Sequence, residues 1–189
     1  MHDIQAVVFD AFGTLIQYTG PWNHPYRHVL AHIDASTRLP FMTRNVPIDI
    51  FADELGLSHV VPDMRRELDA LLASLRLFPE VSTVLNAVRA SGRPIAVCSN
   101  LAYDFGGALY RLLPDMDAYL LSYALGVAKP DPAMYAAVCT ALACPPEHLL
   151  FIGDSQRCDV DGPRASGLQA RRLNRRQGMT LFDTLEGVI

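Results

Sequence analysis

Four apolar runs constrain the fold more than any other feature of this chain: Ile4–Asp10, Pro94–Asn100, Ala118–Leu125 and His148–Asp154. Each is rich in Val, Ile, Leu or Phe and runs into a small or polar residue. A half-exposed strand alternates apolar and polar side chains, so runs of this kind belong to parallel strands covered on both faces. Helix-length stretches alternate with them. Val81–Ala90 carries Val81, Val84, Leu85 and Val88 on one face, while Leu101–Leu113 and Asp131–Ala143 separate the later runs. Pro79, Gly92 and Pro132 stand where helices start and stop. After Asp159 a short helix is expected to end at Gly167, and Gln169–Asn174 reads as a fifth strand, more polar and so nearer an edge. The order predicts an α/β fold, a doubly wound parallel sheet.

The interval from Tyr18 to Phe78 departs from that order and offers no convincing strand. Its signals are helical. Met64, Leu68, Leu71, Leu72 and Leu75 form an apolar stripe behind Pro62, and Ile48, Phe51 and Leu55 form a shorter one closed by Gly56. Residues 18–78 therefore read as a small helical insertion beside the carboxyl ends of the strands, where open α/β sheets bind ligands. Residues 1–17 and 79–189 make the core.

At 189 residues and 50% hydrophobic, the chain can bury a full core without disulfides or a structural metal. Twenty acidic against 16 basic residues leave a net charge of −4 and no basic field for a nucleic acid partner. Cys98, Cys139, Cys144 and Cys158 form no CxxC pair and no Cys/His ligand spacing, so free thiols are expected. The amino-terminal Met-His-Asp-Ile-Gln has no leader character, and no apolar run approaches the roughly 18 residues of a membrane span. The expectation is a soluble cytoplasmic protein.

Reactive groups gather at the strand ends. Asp10 follows the first run, Ser99 and Asn100 the second, Asp154 and Asp159 the fourth, and Lys129 beside Pro130 reaches the same crevice from the loop after the third. One lysine among several carboxylates is costly to assemble unless a cation or a covalent task justifies it. Such oxygen-rich sites suit Mg²⁺.

Four ordered segments carry a resemblance: Phe9-Asp10-Ala11-Phe12-Gly13-Thr14-Leu15; Cys98-Ser99-Asn100; Lys129-Pro130-Asp131-Pro132 with Tyr135; and Gly153-Asp154-Ser155 with Asp159. Together they resemble the motifs of the haloacid dehalogenase-like hydrolase superfamily, over about residues 4 to 170. The resemblance implies a Rossmann-like core, a cap inserted after the first motif, and a carboxylate nucleophile that forms a covalent aspartyl intermediate. On that pattern Asp10 is the nucleophile, and Asp10, the carbonyl of Phe12 and Asp154 hold Mg²⁺. Asp159 holds the metal's waters or Lys129. Thr14 and Ser99 would hydrogen-bond the transferring phosphoryl group, with backbone donors in the Ala11-Phe12-Gly13 turn and at Asn100. Lys129 would neutralise and orient the nucleophile and the bound anion. The implied partner is a small phosphorylated molecule, and the implied assembly a monomer or a homodimer.

Phe12 departs from the phosphatase pattern. Phosphatases of the superfamily usually carry an Asp there to protonate the leaving alkoxide and later activate water, help worth about 10²–10⁴ in rate. A phosphatase with Phe12 is expected to be slow on alkyl phosphates, to prefer acyl or aryl phosphates, or to borrow an acid from the cap. The superfamily's 2-haloacid dehalogenases carry an aromatic residue at that position and Ser-Asn in the second motif, and a halide leaves without a proton. They work without a metal, however, and lack the acid corresponding to Asp154. Arg38 and Arg44 offer forks for a substrate carboxylate in that reading. A third reading keeps the site but loses turnover, leaving a phospholigand- or partner-binding protein. His24, His28 and His32 fall four apart behind or around Pro25, so His28 is the candidate for a substrate-facing proton donor from the cap, with Trp22 and Tyr26 as candidate pocket walls. Asp161 repeats the acid two positions beyond Asp159.

Overall fold

The structure is a computed structural model describing residues 3–20, 26–31 and 41–189. Its main sheet holds β1 (Ala6–Phe9), β4 (Ile95–Ser99), β5 (Ala118–Leu121), β6 (Leu149–Gly153) and β7 (Gln169–Arg172) in the order β5-β4-β1-β6-β7. Every pairing is parallel, with Val8 opposite Ala96 on one side and Phe151 on the other. The central strand is inaccessible on both faces, as its unbroken apolar run requires: Val7, Val8 and Phe9 expose 0% of their surface. Removing each from water contributes roughly 1.5–3 kcal/mol, an upper bound because unfolded chains already bury some of that surface.

Alternate residues of β1 feed two cores. Val7 and Phe9 pack with Val84 and Val88 of α4 (Val81–Ala90), Leu109 of α5 (Gly106–Leu112) and Leu181 of α9 (Leu181–Thr184). Ala6 and Val8 pack with Met134, Tyr135 and Val138 of α7 (Pro132–Leu142). Helices thus cover both faces, the Rossmann-like arrangement expected from the sequence. The Asp131 carboxylate caps α7 by accepting the Ala133 amide at 2.9 Å.

Three sequence expectations need correction. Ala118–Leu125 is not one strand: β5 ends at Leu121 and α6 (Ser122–Leu125) follows, because an apolar run does not distinguish a strand from a buried helical turn. The last strand stops at Arg172, at the sheet edge, rather than at Asn174. The interval from Tyr18 to Phe78 also contains strand at both ends. β2 (Ile16–Tyr18) and β3 (Leu75–Leu77) pair antiparallel, with Ile16 opposite Leu77 and Tyr18 opposite Leu75. Three residues are too few for alternation to register, and Leu75 belongs to this ribbon rather than to the preceding helix. Between the two strands lie α1 (Arg27–Leu30), α2 (Ile48–Glu54) and α3 (Val61–Ser74), whose Met64, Leu68 and Leu71 are buried as the stripe predicts. Among the described residues, polar bonds tie this insertion to the core: Ser122 Oγ donates to the Met42 carbonyl at 2.7 Å, and Asp104 accepts from the Ile48 amide at 3.0 Å and from Arg65 at 3.2 Å. No described helix is long and apolar enough to cross a membrane.

Candidate active site

The carboxyl ends of β1, β4 and β6 converge on a cavity of about 170 Å³ whose wall includes Asp10, Phe12, Ser99, Lys129, Asp154 and Asp159. At its floor Lys129 Nζ donates to Asp10 Oδ1 at 2.8 Å and to Asp159 Oδ1 at 2.7 Å. Ser99 Oγ donates to the same Asp10 oxygen at 3.2 Å. One oxygen of Asp10 is therefore held by two donors, while Oδ2 has none among the described residues. The second Asp159 oxygen accepts the Ser155 amide at 2.9 Å, so this carboxylate spends both oxygens on orienting its neighbours. Asn100 fixes the backbone of Lys129 from both sides: its Nδ2 donates to the Lys129 carbonyl and its Oδ1 accepts the Lys129 amide, each at 2.7 Å.

Burial on its own would discharge an ammonium, but the carboxylates of Asp10 and Asp159 outweigh it and hold Lys129 protonated well above its ordinary range. Desolvation, then the Asp10 charge, push Asp159 up to about 6. The same two causes raise Asp154. Three carboxylates face one ammonium, and oxygens of Asp10, Asp154 and Asp159 all lie within 4.8 Å of one another. The surplus negative charge and the all-oxygen donor set fit a hard divalent cation such as Mg²⁺.

Two glycines make room for these acids. A Cβ at Gly13 would overlap the Asp154 carboxylate, and Gly13 has φ +81°, a left-handed conformation that disfavours side chains. A Cβ at Gly153 would overlap Asp159. After Asp154 the chain makes a π-helical turn, Gln156–Asp161, that returns Asp159 beneath Lys129.

Of the residues expected at the site, Asp10, Phe12, Ser99, Asn100, Lys129, Asp154 and Asp159 all line the cavity. Gly13 contributes space, since its amide donates to the Ile16 carbonyl at 2.9 Å. Ala11 and Thr14 lie behind the wall, both 0% exposed, and the Thr14 hydroxyl has no hydrogen-bond partner among the described residues. The Phe12 ring stacks on Tyr18 at 5.5 Å and meets Phe105 edge-on at 5.4 Å. That cluster continues through Tyr26, Phe41 and Phe51, so Tyr26 is insertion core rather than pocket wall. Arg44 does not face the site freely: it binds Glu54 through two bonds of 2.5 and 2.8 Å. Asp161 is exposed and accepts Gln156 Nε2 at 2.8 Å. His28 belongs to α1 but its side chain lies outside the described residues, as do Trp22, His24, His32 and Arg38. Cys98 is fully buried and its thiol is pushed up to about 12, chiefly by desolvation.

Sequence reasoning missed Arg175. Its guanidinium donates to the carbonyls of Gly13 at 3.2 Å and Thr14 at 2.6 Å, pairs with Glu80 at 2.7 Å, and lies over the Phe78 ring. It braces the turn after Asp10 from a loop far along the chain, and no local pattern marks it.

The family model for the haloacid dehalogenase-like hydrolases matches residues 4–167. The chain belongs to that family. This haloacid dehalogenase-like hydrolase is 26% identical to (S)-2-haloacid dehalogenase 1 of a Pseudomonas species over 93% of its own length and 86% of the relative's. It is 28% identical to the phosphoglycolate phosphatase of Nitrosospira multiformis, over 87% and 80%. With the phosphoserine phosphatase of Thermus thermophilus the identity is 29%, over 67% of this chain but only 53% of that protein, so the chain spans about half the length of that relative. Among solved structures, a family enzyme of Bacteroides thetaiotaomicron in complex with magnesium and inorganic phosphate superposes with a TM-score of 0.70 at 17% identity, over 90% of this hydrolase and 94% of that chain. An L-2-haloacid dehalogenase superposes at 0.60 and 22% identity, over 92% and 88%.

Proposed function

We propose that this hydrolase is a Mg²⁺-dependent phosphatase of small phosphorylated metabolites that works through an aspartyl-phosphate on Asp10. The observation that carries the reading is the Asp10, Asp154 and Asp159 cluster, with oxygens within 4.8 Å of one another beside a single lysine. A dehalogenase that works without a metal has no use for Asp154, which would only repel the nucleophile. Asp10 and Asp154, with the Phe12 carbonyl, would hold the cation, and Asp159 would order its surroundings. The bound cation would offset the charge of the phosphoryl oxygens.

The remaining work falls to the chain. Lys129 and Ser99 hold Asp10 Oδ1 and keep the carboxylate aimed. Asp10 attacks phosphorus, the P–O bond to the leaving group breaks, and the acyl phosphate on Asp10 is cleaved by water to give inorganic phosphate and the free carboxylate. Ser99, Lys129 and the backbone amides of Phe12 and Asn100 supply donors to the phosphoryl oxygens. The apolar ring of Phe12 donates no proton to the leaving oxygen, so turnover should follow leaving-group acidity unless His28 supplies the proton.

The test is phosphate release from aryl, acyl and alkyl phosphates, with Mg²⁺ and with chelator, for the wild type and Asp10→Asn. Release that needs both Mg²⁺ and Asp10, ranked aryl and acyl above alkyl, is expected. Halide release from 2-haloacids without phosphate release would overturn the reading. That second reading has its own support in Phe12 and in the similarity to 2-haloacid dehalogenases.

A further inference from the structure

A second cleft of about 610 Å³ adjoins the catalytic cavity and shares Asn100, Lys129 and Cys158 with it. Its walls are the loop from Gly126 to Pro132, the turn bearing Arg157, and Met42 and Thr43 of the insertion. The smaller cavity already holds the groups that handle a phosphoryl group, so the adjoining cleft is the space for the remainder of the substrate.

Lys129 and Arg157 are the cations among the described residues lining the two spaces. Lys129 is taken by Asp10 and Asp159. Arg157 is exposed, and its guanidinium has no hydrogen bond or ion pair among the described residues. The nearby acids are engaged elsewhere: Asp161 with Gln156, and Asp131 with the amide of Ala133. The base of Arg157 is nevertheless fixed, because the Cys158 amide donates to Ser155 Oγ at 3.2 Å and the Cys158 carbonyl accepts the Tyr135 hydroxyl at 2.6 Å. A guanidinium on a rigid turn, unpaired and facing the space for the leaving group, is a fork for a planar anion.

We propose that Arg157 binds a carboxylate on the non-reacting end of the substrate, which makes the substrates short phosphorylated carboxylic acids; this rests on the phosphoryl-transfer reading above. One guanidinium balances a carboxylate, whereas a second phosphate would bring nearly two charges next to a site already rich in carboxylates. Binding energy from this remote end also serves the chemistry, since Phe12 gives the leaving oxygen no acid and the rate must come from positioning.

The experiment compares kcat/KM for a phosphorylated 2-hydroxy acid, its neutral amide and a bisphosphate of similar length, in wild type, Arg157→Ala and Arg157→Lys. Arg157→Ala should lower kcat/KM for the acid by about 10- to 100-fold and for the amide by less than about threefold. Arg157→Lys should recover part of the loss. Equal losses for acid and amide would overturn the proposal, as would a larger loss for the bisphosphate than for the acid. Binding of the matching carboxy- and carboxamido-phosphonates to Asp10→Asn with Mg²⁺ separates this from the phosphatase reading. Preference for the carboxylate that disappears in Asp10→Asn/Arg157→Ala supports Arg157 even where wild type releases no phosphate; binding indifferent to Arg157 overturns it.

Discussion

Lys129 Nζ is wedged between two carboxylates in a place where its side chain is 2% exposed, and removing it leaves two buried acids facing each other. Breaking such a pair from one side costs about 3–5 kcal/mol. Lys129→Met should lose about that much stability by urea unfolding at pH 7.5, and the deficit should shrink at pH 5 as protons replace the missing ammonium. A deficit that is the same at both pH values would mean that packing, not charge, is lost. Phe12 poses the opposite case, since its chemistry is an absence while its ring is embedded between Tyr18 and Phe105. Phe12→Asp should raise turnover of alkyl phosphates relative to aryl phosphates by about tenfold or more, while costing stability through the lost aromatic contacts. An unchanged alkyl-to-aryl ratio would show that a proton donor already exists elsewhere, with His28 the first residue to substitute.

Among the elements, the turn after β1 is braced across the chain by Arg175 and Glu80. Burial works to raise the Glu80 carboxyl, but the hydrogen bond and charge of Arg175 outweigh it and leave the group below its ordinary value. A depressed carboxylate contributes stability above its unfolded pKa and loses it as pH falls through the folded one. Arg175→Gln should therefore be less stable than wild type at pH 7 by about 1–3 kcal/mol, with the gap narrowing below pH 4 to what the bonds to the Gly13 and Thr14 carbonyls contribute, as thermal unfolding would show. This brace illustrates where sequence reading stops. β1, β4 and β6 are legible because a strand buried on both faces must be continuously apolar, and Asp10, Asp154 and Lys129 because reactive groups at parallel strand ends meet. The β2–β3 ribbon is too short to show a period. Arg175 reaches Gly13 and Thr14 from a loop whose composition resembles any polar surface, and Arg157 gains its meaning only from the cleft it faces.

On the proposed reading, the molecule would link proton and metal binding through the same carboxylates, Asp10, Asp154 and Asp159. Desolvation and Asp10 raise Asp159 to about 6, so in the absence of metal this group favours the folded state most below its ordinary pKa and less as pH rises toward 6. Cation binding needs the deprotonated acids. The stabilisation added by saturating Mg²⁺, read as a shift in Tm, should therefore grow as pH rises from 4.5 to about 6 and flatten above. A shift independent of pH over that range would separate Asp159 from the metal. On the proposed reading Asp10 becomes covalently phosphorylated. The direct measurement is to quench a reacting mixture with acid, reduce it with borohydride and map the peptides by mass spectrometry. An aspartyl-phosphate intermediate predicts conversion of Asp10 to homoserine, dependent on substrate and Mg²⁺; phosphate release with Asp10 unmodified, or modification at another acid, would contradict it.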